Sequence, residues 1–200
     1  LPLENPQNMN MANQIIENKE FKGINYQEAP LAKGEYENCS FLNCLFINAD
    51  LSNITFIDCL FDKCDLSMAN IKNTAFRDVR FANSKMVGLN FEECNSFLIS
   101  FSFEECFLHL ASFYKLKLKE TRFRNCNLQE VDFTEANLSG SVFDNCDLSR
   151  AIFGKTNLEK ADFRTSYNYS IDPEMNRINK AKFSRMGVLG LLDRYNIDIE

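Results

Sequence analysis

Two hundred residues, 45% of them hydrophobic, suffice for one sizeable core, and nothing in the chain divides it in two. Twenty-two Lys and Arg against 28 Asp and Glu give a formal net charge of −6, which argues against direct nucleic-acid binding and suits a basic partner. No run approaches the roughly 18 to 20 apolar residues of a membrane span and no export-signal pattern is present, so a soluble, cytoplasmic protein without membrane contact is expected.

Residues 1–10 are polar, lack an apolar run, and read as a tag or disordered lead-in. From Phe21 onward a five-residue period takes over: Phe21, Tyr26, Leu31, Tyr36, Phe41, Phe46, Leu51, Phe56, Phe61, Leu66, Ile71, Phe76, Phe81, Met86 and Phe91 are all large and apolar. The register then slips by two residues and resumes as Leu98, Phe103, Leu108, Phe113, Leu118, Phe123, Leu128, Phe133, Leu138, Phe143, Leu148, Phe153, Leu158 and Phe163. Two residues before most of these sits a small side chain, as at Cys39, Cys44, Ala49, Cys64, Ala69, Thr74, Cys126, Ala136, Ser141, Cys146, Ala151 and Ala161.

A period of five is neither the 3.6 of a helix nor the 2 of a strand, so the chain has to turn a corner in every repeat to keep these side chains on one side. The units Ala136-Asn137-Leu138, Cys146-Asp147-Leu148 and Ala161-Asp162-Phe163 resemble the consensus of the pentapeptide-repeat family, and the resemblance covers about residues 21–165. It implies an all-β, right-handed, quadrilateral parallel β-helix with four repeats to a coil. Every fourth central residue then stacks, and one column reads Phe21, Phe41, Phe61, Phe81, Phe103, Phe123, Phe143, Phe163. At the usual strand spacing of about 4.8 Å, roughly seven coils make a rod near 35 Å long. The β-helix is expected over residues 11–183.

The slip predicts a small loop insertion near residues 92–97, with Glu92, Glu93, Asn95, Ser96 and Phe97 protruding and Cys94 exposed among them. Close by, Leu89, Phe101 and Leu116 stand where the pattern wants small residues, and Phe97, Ile99, Phe107, Leu110 and Tyr114 put apolar or aromatic groups outward. Such a departure is read either as a tolerated insertion or as a partner-contact surface. The remaining cysteines fall in inward columns whose parallel Cβ vectors do not suit disulfides, and the lone histidine, His109, faces outward. No metal site, cofactor or catalytic constellation is expected: C-x-x-C spacing, phosphate loops and nucleophile elbows are lacking, and no carboxylate pair of the kind used by sugar-cleaving β-helices stands out.

At the end of the chain, Ser184 has the character of a helix N-cap and is followed by Met186, Val188, Leu189, Leu191 and Leu192, which predicts a short helix closing the rod, with a tail to residue 200. The stretches from Tyr169 to Ile178 and from Ala181 into this leucine-rich segment resemble pentapeptide proteins that protect bacterial type II topoisomerases. That group includes the quinolone-resistance Qnr proteins and the immunity proteins against albicidin and microcin B17, and the segment Ala111 to Leu118 is similar to the albicidin type.

This resemblance implies a non-enzymatic DNA mimic and end-to-end homodimer that engages DNA gyrase, and in some members topoisomerase IV, and so confers resistance to topoisomerase inhibitors. The dimer interface would hold Met186, Val188, Leu189, Leu191 and Leu192. An outward column, Asn38, Asp58, Asp78, Ser100 and Glu120, offers a phosphate-like stripe, though Lys117, Lys119, Arg122 and Arg124 are interleaved with it. A pentapeptide-repeat scaffold or regulatory protein with another partner is the alternative.

Overall fold

The computed structural model describes residues 14–199; the expected lead-in at residues 1–10 lies outside them. Eleven short strands stand out: β1 (Ile15–Glu17), β2 (Glu20–Lys22), β3 (Glu35–Glu37), β4 (Ser40–Leu42), β5 (Thr55–Ile57), β6 (Leu60–Asp62), β7 (Ala75–Arg77), β8 (Val79–Ala82), β9 (Phe101–Glu104), β10 (Arg122–Arg124) and β11 (Val142–Asp144). All pair in parallel, in the orders β1-β3-β5-β7 and β2-β4-β6-β8-β9-β10-β11. The second sheet forms one side of a β-helix, its seven rungs marking six turns from first to last.

The second and third sides are ladders of single bridges. Asn25, Leu45, Asp65, Lys85, Phe107, Asn127, Asp147 and Tyr167 pair in succession on the second side, and Asn90, Ser112, Asp132 and Ile152 on the third. The fourth begins with β1, β3, β5 and β7 and resumes as Lys117, Asn137, Asn157 and Arg177. Almost every partner is one coil, or 20 residues, away, as in Phe41 with Phe61 or Phe123 with Phe143.

The corners explain why five residues suffice for a side. The residue two places after most central ones takes the left-handed conformation, from Asn38 at φ 51° and Asn43 at φ 54° to Glu120 at φ 60° and Lys160 at φ 60°. This turns the chain, and its N–H still bonds one coil along, as in Asn38 N to Ile57 O at 2.9 Å and Asp58 N to Arg77 O at 2.9 Å. Asn and Asp occur here often because their short side chains tolerate this conformation best among non-glycine residues.

Inside, the rings of the first side stack at the spacing of the rungs. Phe103, Phe123 and Phe143 lie 5.1 and 5.0 Å apart with interplanar angles of 5°. Phe183 extends the column beyond the periodic region, 5.5 Å from Phe163. Rings on adjoining sides meet edge-on, as Phe123 does with Phe133 at 78°, so the bore is filled by both favoured aromatic geometries.

The small inward residues tie the corners together. Thr74 Oγ1 donates to Leu51 O at 2.8 Å, Ser141 Oγ to Leu118 O at 2.8 Å and Thr156 Oγ1 to Phe133 O at 2.9 Å. Cysteines substitute in the same role: Cys64 Sγ donates to Phe41 O at 3.2 Å and Cys146 Sγ to Phe123 O at 3.4 Å. All eight cysteines are unbridged and buried. Cys94 is among them, contrary to the exposed thiol expected: its Sγ donates to Phe91 O at 2.7 Å, and burial pushes its pKa up to about 12.

The C-terminal segment closes the rod in short 3₁₀ helices at Gly187–Leu191 and Asp193–Tyr195. Ser184 does act at its start, accepting from Gly187 N at 2.9 Å. The tight turn follows from close packing on Tyr169, because a Cβ at Gly190 would lie 2.1 Å from the Tyr169 carbonyl oxygen. Ile171 N donates to Gly190 O at 2.9 Å, and Arg194 pairs with Asp172 and Glu174.

Phe123 is fully buried at the middle of the phenylalanine column. Phe123→Ala removes a ring that no neighbour can replace, and the expected loss is about 3 to 5 kcal/mol. A denaturant midpoint unchanged from that of the parent would disprove the ring's role.

Candidate functional site

The regular ladder breaks once, on the fourth side. Register is normal as far as Asn95, which bridges Ala75. It is normal again from Phe101, which pairs with Val79 at a separation of 22 residues. The two surplus residues are therefore absorbed between Asn95 and Phe101, and the protrusion spans residues 96–100 rather than 92–97. Asn95 Oδ1 accepts from Phe97 N at 3.0 Å and starts the turn. Leu98 then takes the left-handed corner conformation, at φ 57°, in place of Ser100.

This corrects the expected position of Leu98. It is not a core residue: Phe97 is 66% and Leu98 64% exposed. The core space is filled from the next repeat by Phe101, which stands where a small residue is usual. Its ring lies 5.3 Å from Phe91, 5.2 Å from Phe103 and 6.1 Å from Phe76. A large ring at a small position and an ejected leucine are two sides of one rearrangement.

The expected contact residues divide into four groups. Glu92 and Glu93 lie in a 3₁₀ turn, Phe91–Glu93, ahead of the break, where Glu92 accepts from the Ser112 hydroxyl. Asn95 leads into the protrusion, and Ser96 and Phe97 lie in it. Asp58 and Asp78 lie at its foot, in a cleft of about 350 Å³ shared with Leu60, Arg80, Ser100 and Ser102. Ser100 Oγ donates to Asp78 Oδ1 at 2.9 Å and Val79 N to Ser100 O at 3.1 Å, so the protrusion is fastened to the acidic corner. Glu120 lies outside this cleft, 3.5 Å from the Lys119 ammonium.

The cleft offers two exposed carboxylates and hydroxyls beside an apolar knob, an arrangement suited to a cationic side chain of a partner. Among the described residues no group of three His, Cys, Asp or Glu is placed to hold a metal ion. Leu98 and the cation Arg80 escaped the sequence reading; Phe101 at a small position was the available signal that core and surface exchange residues here.

At the C-terminal end, Met186 is 77% exposed and Val188 and Leu189 are exposed as well, whereas Leu191 packs against the core. Tyr195, Ile197 and Ile199 add further exposed apolar surface to this end.

A family model and the QnrB1 fold agree with this architecture. A family model described as the pentapeptide repeat region matches residues 31–101 and 96–168. Among solved structures, full-length QnrB1, a plasmid-mediated fluoroquinolone resistance protein, has a TM-score of 0.52 at 20% identity, covering 92% of this chain and 100% of that one. HetL, involved in heterocyst differentiation regulation in the cyanobacterium Nostoc sp. strain PCC 7120, gives 0.35 at 14% identity, over 86% of this chain and 88% of its own. No curated protein matches in sequence.

The geometry predicts how the break responds to repair. Deleting Asn95 and Ser96 restores the five-residue period and drives Leu98 inward, where Phe101 already sits. The deletion alone should destabilise by roughly 1 to 3 kcal/mol through overpacking. Adding Phe101→Ala should recover most of that loss. Thermal unfolding of both variants checks this; a deletion variant at least as stable as the parent would show that Phe101 does not occupy the leucine's place.

Proposed function

The chain belongs to the pentapeptide-repeat family, and from that premise we propose that it is a non-enzymatic topoisomerase-protecting member, which binds DNA gyrase, and topoisomerase IV as a second target, and counters their poisons. The observation that carries this reading is the junction of protrusion and acidic cleft: an otherwise regular rod interrupts itself once, and there it sets Phe97 and Leu98 beside Asp58 and Asp78. The C-terminal likeness to topoisomerase-protecting proteins and the fold shared with QnrB1 support it.

In this mechanism the acidic rod approaches a basic DNA-handling surface, drawn by long-range attraction. Corner carboxylates on successive coils lie about 4.8 Å apart, giving closely spaced negative charge without a phosphate backbone. The protrusion then supplies the specific contact, by inserting an apolar group that a charged surface alone would not select. Glu92, Glu93 and Glu120 extend the negative field around it.

The test is gyrase supercoiling in the presence of a fluoroquinolone, albicidin or microcin B17, with and without this protein. Protection against at least one poison is expected. The deletion of Asn95 and Ser96 combined with Phe101→Ala should reduce it at least tenfold while the protein stays folded. Reversing Asp58 and Asp78 to Lys should weaken gyrase binding more at low than at high salt, since exposed charges are screened over about 8 to 10 Å at moderate ionic strength. A folded protein that protects against none of these poisons would favour the alternative, a pentapeptide-repeat scaffold with another partner.

The exposed apolar end is proposed to pair two copies about a twofold axis through Met186, Val188, Leu189 and Leu192, with Leu191 supporting them from within. Sedimentation at micromolar concentration should give the dimer mass, and Leu189→Asp the monomer. A monomeric parent protein would rule out this assembly.

A further inference from the structure

On the third side one coil is ordinarily tied to the next by backbone alone, as where Leu51 N donates to Asn70 O at 2.9 Å and Asn53 N to Lys72 O at 3.0 Å. The bridges of this side begin with Asp50 and Asn70. Between the first coil, which runs from β2 to β3, and the second, the equivalent bonds are missing. Among the described residues, neither Leu31 N nor Lys33 N donates to Asp50 or Ser52. Lys33 also lacks the left-handed conformation that Asn53 and Asn73, each at φ 58°, take at the same corner. The crossing from Gln27 to Lys33 therefore bows off the ladder, and two carbonyls of the second coil lose their usual donors.

The Lys33 side chain takes the place of those donors. Its Nζ donates to Asp50 O at 3.1 Å and Ser52 O at 2.8 Å, the carbonyls that Leu31 N and Lys33 N would have met, and to Asp50 Oδ2 at 3.0 Å and Ser52 Oγ at 3.3 Å. Four oxygens converge on one nitrogen. They are positioned from the rod side as well, because Asp50 Oδ1 accepts from Ser52 N at 3.0 Å and from Asn70 Nδ2 at 3.0 Å. These separations are those of hydrogen bonds to an ammonium group, whereas calcium or magnesium would need oxygens at about 2.0 to 2.6 Å. The single carboxylate matches a single positive charge.

We propose that Asp50 and Ser52 form a binding site for a primary ammonium group, which Lys33 fills from within the chain, and that its occupancy holds the first coil closed on the rod. An exposed ion pair alone contributes little. This ammonium also stands in for two backbone hydrogen bonds that the bowed crossing does not make, and it is the anchor at the end of that crossing, beside the Tyr36 hydroxyl, which donates to Ala32 O at 2.8 Å. With Lys33 withdrawn, the same oxygens are left to a small free ammonium ion. The site lies away from the protrusion and does not depend on the topoisomerase reading.

Opening of the first coil is read by hydrogen exchange at the Tyr26 and Thr55 amides, which bond Leu45 O and Gly34 O on either side of the bowed crossing. In Lys33→Ala their exchange should quicken about fivefold or more, while the Leu128 amide, far along the rod, keeps its parental rate and shows that the chain is folded. Methylammonium chloride should slow the exchange of this variant back towards the parental rate. Tetramethylammonium chloride at the same ionic strength, which has no hydrogen to donate, should not, and neither salt should change the parent. Rescue should persist when Lys72→Gln is added, which removes the cation one coil along from Ser52, and should be lost when Asp50→Asn and Ser52→Ala are added. Unchanged exchange in Lys33→Ala, an equal response to the two salts, or rescue that survives loss of the Asp50 and Ser52 side-chain oxygens would overturn the proposal.

Discussion

The structure depends on one local event, a left-handed residue closing every five-residue side while keeping its backbone bonded to the next coil. Left-handed backbone costs about 1 to 2 kcal/mol per residue outside glycine, yet it recurs at nearly every corner, at Lys63, Met68 and Lys115 as well as at the asparagines. What offsets it is that each corner admits inward side chains to the buried core and leaves ladder hydrogen bonds on both neighbouring sides. Parallel strands of three residues, too short to stand alone, become stable only as rungs of a common stack.

The same constraint explains where the chain is free to vary. Central residues must be large and their companions small, but the three outward positions of a repeat answer only to solvent and to partners. The fourth side passes from Glu35 and Glu37 through Arg77 to Lys117 and Lys119 without disturbing the interior. Charge is therefore written on the surface almost independently of fold, so both signs occur on one rod. The overall charge says little about any single face.

Most of the fold was legible because its signal is a count: a side chain at every fifth position either is or is not large. The first-side column, the inward cysteines and the coil of four repeats follow from that periodicity and the family resemblance. The break was legible only as a discrepancy of two residues. Its location depended on whether Leu98 or Phe101 would win the same interior space, a question of volume that period alone does not answer. Position 98 fits the pattern, yet the ring at position 101 has no outward alternative, since its strand, β9, is pinned between β8 and β10. The C-terminal cap was legible as a short helix but not in its 3₁₀ form, which depends on Gly187 and Gly190 letting the backbone close on Tyr169.

The way the surplus pair is accommodated has a geometric consequence. An insertion of five residues would add one side and rotate everything beyond it by a quarter turn, whereas two residues looped out leave the orientation of later coils untouched. Phe103 thus still sits above Phe81, and compass bearings set near the start of the rod hold to its far tip. For a molecule that meets other surfaces along its flanks, such azimuthal fidelity lets a new projection arise on one flank without turning the others away.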